Sequence, residues 1–147
     1  MSYQFELVTD SKVLEKQNRV ISEGIRRYNE SFAGGQPQRF SIYAKNENNE
    51  IVAGATVYSF PTSVYVDVLW VDERHRGAGL GTMLLKQVEI EAVKHNIYES
   101  TLDTFSFQAE QFYIKQGYKP IGTIKNYLNG HDRIFLRKHL DPVNCSV

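Results

Sequence analysis

The residue pattern predicts an α/β (α+β) fold: a central mixed, mostly antiparallel, twisted sheet of about seven strands flanked by helices. Three observations carry this expectation. Apolar residues alternate with a strand period in some runs and recur with a helical period in others. Short turn signals join successive strand-like runs, which implies a meander. One run, Val64 to Val71, is almost continuously apolar, as a central strand covered on both faces should be. The element order reads β-α-(α)-β-β-β-α-β-α-β-β in one domain spanning residues 1–147.

Tyr3, Phe5 and Leu7 alternate with polar residues and predict a strand over residues 3–9. Asp10 and Ser11 are N-cap candidates for a helix running to about Asn29, with Val13, Leu14, Val20, Ile21 and Ile25 on its apolar face. From Tyr28 to Gln36 the pattern allows either a second short helix or a loop. Residues 39–45 and 51–60 are strand-like and flank the turn chemistry of Asn46–Glu50. Pro61 and Thr62 mark the next turn, before Val64–Val71. A helical stripe of Leu80, Leu84, Val88 and Ala92 then covers residues 79–95. Residues 98–104 form a strand, and 107–116 a helix stopped by Gly117. Residues 118–127 and 133–138 pair around Asn129-Gly130, a strong hairpin signal.

Hydrophobic residues make up 41% of the chain and charged residues 23%, an ordinary globular balance. Lys plus Arg equals Asp plus Glu at 17 each, so bulk electrostatics favour neither a nucleic acid nor an anionic membrane as partner. The N-terminal residues lack a basic segment followed by an apolar run, and no stretch approaches the roughly 20 apolar residues of a membrane span. A cytoplasmic location is expected. The single cysteine, Cys145, permits neither an intrachain disulfide nor a multi-thiolate zinc site. His75 and His95 lack a second ligand at helical spacing, so no metal is expected.

The most informative segment runs from Val71 through Arg74-His75-Arg76 and Gly77-Ala78-Gly79-Leu80-Gly81-Thr82 into the helix. The first N–H groups of a helix have no internal partners and carry positive potential. Glycines at 77, 79 and 81 remove the Cβ atoms that would hold an anion away, and Arg74, His75 and Arg76 add charge nearby. The segment therefore reads as a phosphate or pyrophosphate cradle. It lacks the Gly-Lys-Ser/Thr of a nucleotide P-loop, and it follows an antiparallel meander, unlike a Rossmann loop.

Arg76-x-x-Gly79-x-Gly81, preceded by Leu69-Trp70-Val71, resembles the first signature of the GNAT acetyltransferase superfamily. Ala109, Tyr113 and Gly117-Tyr118 match its second signature at the right interval, so the resemblance covers nearly the whole chain. It implies that acetyl-CoA lies in a V-shaped opening between residues 64–71 and 98–104, its pyrophosphate on residues 76–82. The implied donor-binding set is Leu69, Trp70, Val71, Arg76, Gly77, Ala78, Gly79, Leu80, Gly81, Thr82, Ser106 and Tyr113. Ser106 stands where the family often has asparagine. Trp70 on its own reads as core.

By the same resemblance Tyr113 is the acid that protonates the departing thiolate. Asp67, the only carboxylate in its strand, is the candidate base; a water relay, a structural role or a hold on a cationic amine stay open. Alternation places Tyr65, Asp67, Leu69 and Val71 on one face and Val66, Val68 and Trp70 on the other. Tyr28, Tyr58, Phe105, Phe107, Tyr127 and His131 are candidates for the acceptor pocket, and Asp103 either faces the cleft or ends its strand. The implied activity is acetyl transfer to a primary amine, with a small-molecule acceptor expected. A CoA-binding regulatory module of weak catalysis and an acetyltransferase of protein amines are the alternatives, and a homodimer is compatible with the resemblance.

Overall fold

The computed structural model describes residues 1–143, and Cys145 lies outside the described residues. The described backbone divides into two compact units, Met1–Gln36 and residues 37–143.

The first unit contains helix α1, Ser11–Ala33. The Asp10 carboxylate caps it by accepting from the N–H groups of Lys12 and Val13, each at 3.1 Å. Gly34 ends it in the left-handed region at φ 74°. The segment left open between a second helix and a loop is therefore the last turns of one continuous helix followed by its cap. Residues 3–9 form no strand. Alternation sorts side chains onto faces, but a strand exists by pairing its N–H and C=O groups, and this unit holds no second strand.

The second unit opens with an antiparallel meander of β1 (Gln38–Lys45), β2 (Ile51–Ser59) and β3 (Val64–Val71). Asn46 shapes the first turn, its side-chain oxygen accepting from the N–H groups of Asn48 and Glu50 at 3.0 Å. Helix α2 (Leu80–Lys94) packs on this meander and buries Leu84, Leu85, Val88 and Ala92. Strand β4 (Glu99–Phe105) then lies parallel to β3. After the short helix α3 (Glu110–Lys115), strands β5 (Lys119–Leu128) and β6 (His131–His139) form the closing hairpin. Asn129 and Gly130 both have positive φ, 48° and 84°, as a two-residue hairpin turn requires. The sheet order is β1-β2-β3-β4-β6-β5, six strands among the described residues in place of the expected seven because residues 3–9 do not pair.

Two features of this unit govern the site. The first is a β-bulge: Val66 pairs with Val57 and Val68 with Thr56, so Asp67 has no cross-strand partner. Because side chains alternate with period two, one extra residue reverses the facing of everything after it. Val64 and Val66 are buried in the core, yet Leu69 packs on that same core while Val68 and Trp70 are exposed. The expected grouping of Tyr65 and Asp67 with Leu69 and Val71 is thereby corrected, and Trp70 is not a core residue.

The second feature is a buried ion pair. Glu89 of α2 is 3% exposed and receives Lys138 Nζ on both carboxylate oxygens at 2.9 Å. The Lys138 ammonium also lies 5.7 Å from the ring centre of Tyr118, whose hydroxyl pairs with Ser100 Oγ at 2.8 Å. This network ties α2 to β6.

Candidate active site

Strands β3 and β4 pair at only three positions, the last being Val66 with Leu102. The bulged residue, Asp67, follows immediately, and a bulge bends and twists its strand. Beyond that vertex the strands part around a cleft of about 720 Å³. One wall is Asp67 to Val71 of β3, with Trp70 at 45% exposure; the other is Asp103 and Thr104 of β4. Phe112 and Tyr113 of α3, together with Arg76 and Gly81, complete the lining.

The glycine loop follows β3. Asp72 caps a single 3₁₀ turn, Glu73–His75, by accepting from the Arg74 N–H at 3.0 Å. Among the described residues no side chain caps α2, and its first backbone bond runs from Met83 N–H to the Gly79 carbonyl at 3.0 Å. The first-turn amides at Leu80, Gly81 and Thr82 thus remain available to an anion, as the cradle requires. The three glycines divide the work differently from the sequence expectation. Gly77 and Gly79 each have φ 80°, with open space where a Cβ would stand, so they serve the turn. A Cβ on Gly81 would sit 3.3 Å from Phe112 Cζ, so this glycine lets α2 approach α3. Gln116 Nε2 reinforces that approach by donating to Thr82 Oγ1 at 3.2 Å. Gly79→Ala places a Cβ in the left-handed region at a cost of about 1 kcal/mol. The melting temperature should fall by about 3 °C, with weaker diphosphate binding by titration; unchanged values for both would show the conformation to be dispensable.

Arg76 lines the cleft while its Nε donates to the Val71 carbonyl at 3.1 Å. Arg74 and His75 instead turn to the Asp72 carboxylate, at 3.1 and 3.4 Å. Those two residues, expected to add charge to the cradle, are engaged within their own turn. The Arg74 side chain and backbone N–H hold the Asp72 carboxyl down at about 2.

Tyr113 is 8% exposed, and its ring stands edge-on to Phe112 and Tyr118 at centroid distances of 5.1 and 6.1 Å. Burial, and then the charge of Asp103, push its phenol above the ordinary value. Asp67 lines the cleft as an exposed residue. Ser106 is not part of the lining. Its hydroxyl accepts from the Asp132 N–H at 3.1 Å and ties the β4–α3 connection to the closing hairpin. Of the aromatic candidates, Phe107 lines the cleft, stacked on Phe105 at 5.4 Å and edge-on to His131 at 4.8 Å. Tyr127 joins that cluster at 6.0 Å from Phe105, whereas Tyr58 carries the Arg39 guanidinium over its ring.

One constellation was not foreseen. Asp103 accepts from the Tyr65 hydroxyl and, at 2.9 Å, from Arg133 Nε. The Arg133 guanidinium lies 5.0 Å from the ring centres of both Tyr127 and Phe135 and donates to the Tyr127 hydroxyl at 3.0 Å. Burial alone would raise the Asp103 carboxyl, but Arg133 and Tyr65 together bring it below its ordinary value. Burial and the bond to Asp103 push Tyr65 up to about 12. The signal was a carboxylate one residue beyond the future vertex; its partners come from strands far apart in the chain.

These depressed carboxyls fix the acid response. At the far end of β4 the Arg137 and His139 side chains hold Glu99 at about 2, against an ordinary 4.5. A carboxyl depressed in the folded state contributes stability that is full above its unfolded value and lost as pH falls through its folded one. The melting temperature should therefore be flat between about pH 5 and 9 and fall between about pH 4.5 and 2. Glu99→Gln should make that acid limb shallower in a pH series of melts; an identical limb would remove Glu99 from the account.

The model of the Acetyltransferase (GNAT) family matches residues 7–118. A blasticidin-S acetyltransferase of Streptomyces morookaense is 34% identical over 102 residues, 69% of this chain and 75% of that protein. The crystal structure of an acetyltransferase from Bacillus cereus superposes with a TM-score of 0.74 at 31% identity, covering 94% of this chain and 98% of that one. A GNAT family acetyltransferase from Elizabethkingia anophelis, solved with acetyl-CoA bound, superposes with a TM-score of 0.58 at 24% identity over 68% of this chain and 75% of that one.

Proposed function

The chain belongs to the GNAT acetyltransferase family, and from that premise we propose that it transfers the acetyl group of acetyl-CoA to a primary amine of a small molecule by direct attack on the thioester. The observation that carries this reading is the parting of β3 and β4 directly beside an uncapped helix N-terminus. The acetyl-CoA complex of the Elizabethkingia protein supports the donor, and the name of the Streptomyces relative supports a small acceptor.

The residues divide the labour as follows. The amides of Gly77 to Thr82 and the Arg76 guanidinium hold the pyrophosphate. The β3 edge from Leu69 to Val71, no longer paired with β4, offers backbone groups to the pantetheine arm, and an amide near Leu69 faces the oxyanion. The acceptor nitrogen, in its neutral form, bonds to the thioester carbonyl carbon as the carbon–sulfur bond breaks. Tyr113 gives its proton to the departing sulfur, and Asp67, directly or through water, takes the surplus proton of the nitrogen. Purified protein incubated with acetyl-CoA and an amine panel should release free thiol with at least one amine. No acetyl-CoA binding and no release from any amine would overturn the reading.

A further inference from the structure

The acceptor end of the cleft carries two carboxylates, Asp67 and Asp103, whereas Arg76, the one cationic side chain in the lining among the described residues, belongs to the diphosphate end. Along β4 the residues Ser100, Leu102 and Thr104 are buried. Asp103 therefore projects from the opposite sheet face to the core that holds Tyr113, so donor and acceptor machinery meet through the sheet.

Asp103 is an oriented group. The Tyr65 hydroxyl occupies one carboxylate oxygen and Arg133 Nε the other, and the guanidinium is itself held between two rings. An ionised carboxylate offers about four acceptor positions, so about two remain for a ligand. Asp67 has no hydrogen-bond or ion-pair partner among the described residues. The exposed ring of Phe107, stacked on Phe105, forms an apolar shelf beside them.

Resting on the acetyl-transfer reading, we propose that the acceptor carries a positive charge besides the amine that is acetylated, and that Asp103 receives that charge while Asp67 faces the nucleophilic nitrogen. Arg133 already pairs with Asp103, so the two carboxylates of the acceptor end keep one negative charge between them, which the attacking amine, being neutral, cannot compensate. An acceptor without a second cation covers Asp103 and leaves part of its hydrogen-bonding capacity unmet, and an anionic one adds repulsion. Asp103 thereby sets which amines are taken.

The test compares a five-carbon diamine, the matching monoamine and the matching amino acid as acceptors, with acetyl-CoA affinity measured in parallel. The diamine should have a kcat/KM about tenfold or more above the monoamine, through a lower KM, with the amino acid poorest. Asp103→Asn should bring the diamine and monoamine within about twofold of each other with acetyl-CoA affinity retained. Should that variant not fold, Tyr65→Phe, which keeps the ring and loses one bond aiming the carboxylate, should narrow the preference in the same direction. Equal kcat/KM values in the wild type, or a preference that persists in a folded variant, overturn the proposal alone. Absent acetyl-CoA binding with no thiol release from any amine overturns it together with the reading on which it rests.

Discussion

Tyr113→Phe is expected to lower kcat about a hundredfold while acetyl-CoA affinity stays within about threefold. The expectation follows from what the residue does and does not touch. Its ring is packed against Phe112 and Tyr118, contacts that phenylalanine keeps. Its hydroxyl has no hydrogen-bond partner among the described residues, so removing it breaks no structural bond. Burial and the Asp103 charge raise the phenol's pKa, which keeps it protonated at neutral pH, the form an acid needs. A stopped assay of thiol release, with a melt and a CoA titration as controls, decides the matter. Unaltered kcat would remove Tyr113 from the proton path.

Lys138→Met should be the most destabilising of the substitutions considered. It leaves the Glu89 carboxylate buried without its ammonium, and breaking such a pair costs about 3–5 kcal/mol. For a chain of this size that corresponds to a melting temperature lower by about 10 °C. Replacing both partners, as Lys138→Met with Glu89→Leu, should recover most of the loss, because no uncompensated charge then remains. A single variant that melts within ~2 °C of wild type would mean that water or local movement relieves Glu89.

Local signals predicted this fold well wherever they decide the structure by themselves. The helix cap at Asp10, the turn at Asn46 and the positive-φ pair Asn129-Gly130 are choices made within a few residues, and each occurs as the chemistry of those residues dictates. The alternation of Tyr3, Phe5 and Leu7 failed as a strand signal because pairing is a property of two segments. The bulge was invisible for a related reason: β3 pairs with both neighbours, and only the register against Val57 and Thr56 shows that Asp67 is supernumerary. The place of the glycine loop between β3 and α2 was legible from the strand and helix patterns on either side of it. The Asp103, Tyr65 and Arg133 cluster was not, since hydrogen bonds spanning |i−j| of 30 and 38 residues leave no periodic trace. The bond that the Ser106 hydroxyl accepts from the distant Asp132 N–H left no such trace either.

The unpaired residue in β3 has a further consequence for how such a protein can change over generations. A side chain opposite a cross-strand neighbour is constrained by that neighbour, but position 67 faces none. Its chemistry can be exchanged while the ladder on either side keeps its bonds and its hydrophobic inward face. The chain thus holds one unopposed tooth in an otherwise paired comb, set where the slot begins to open.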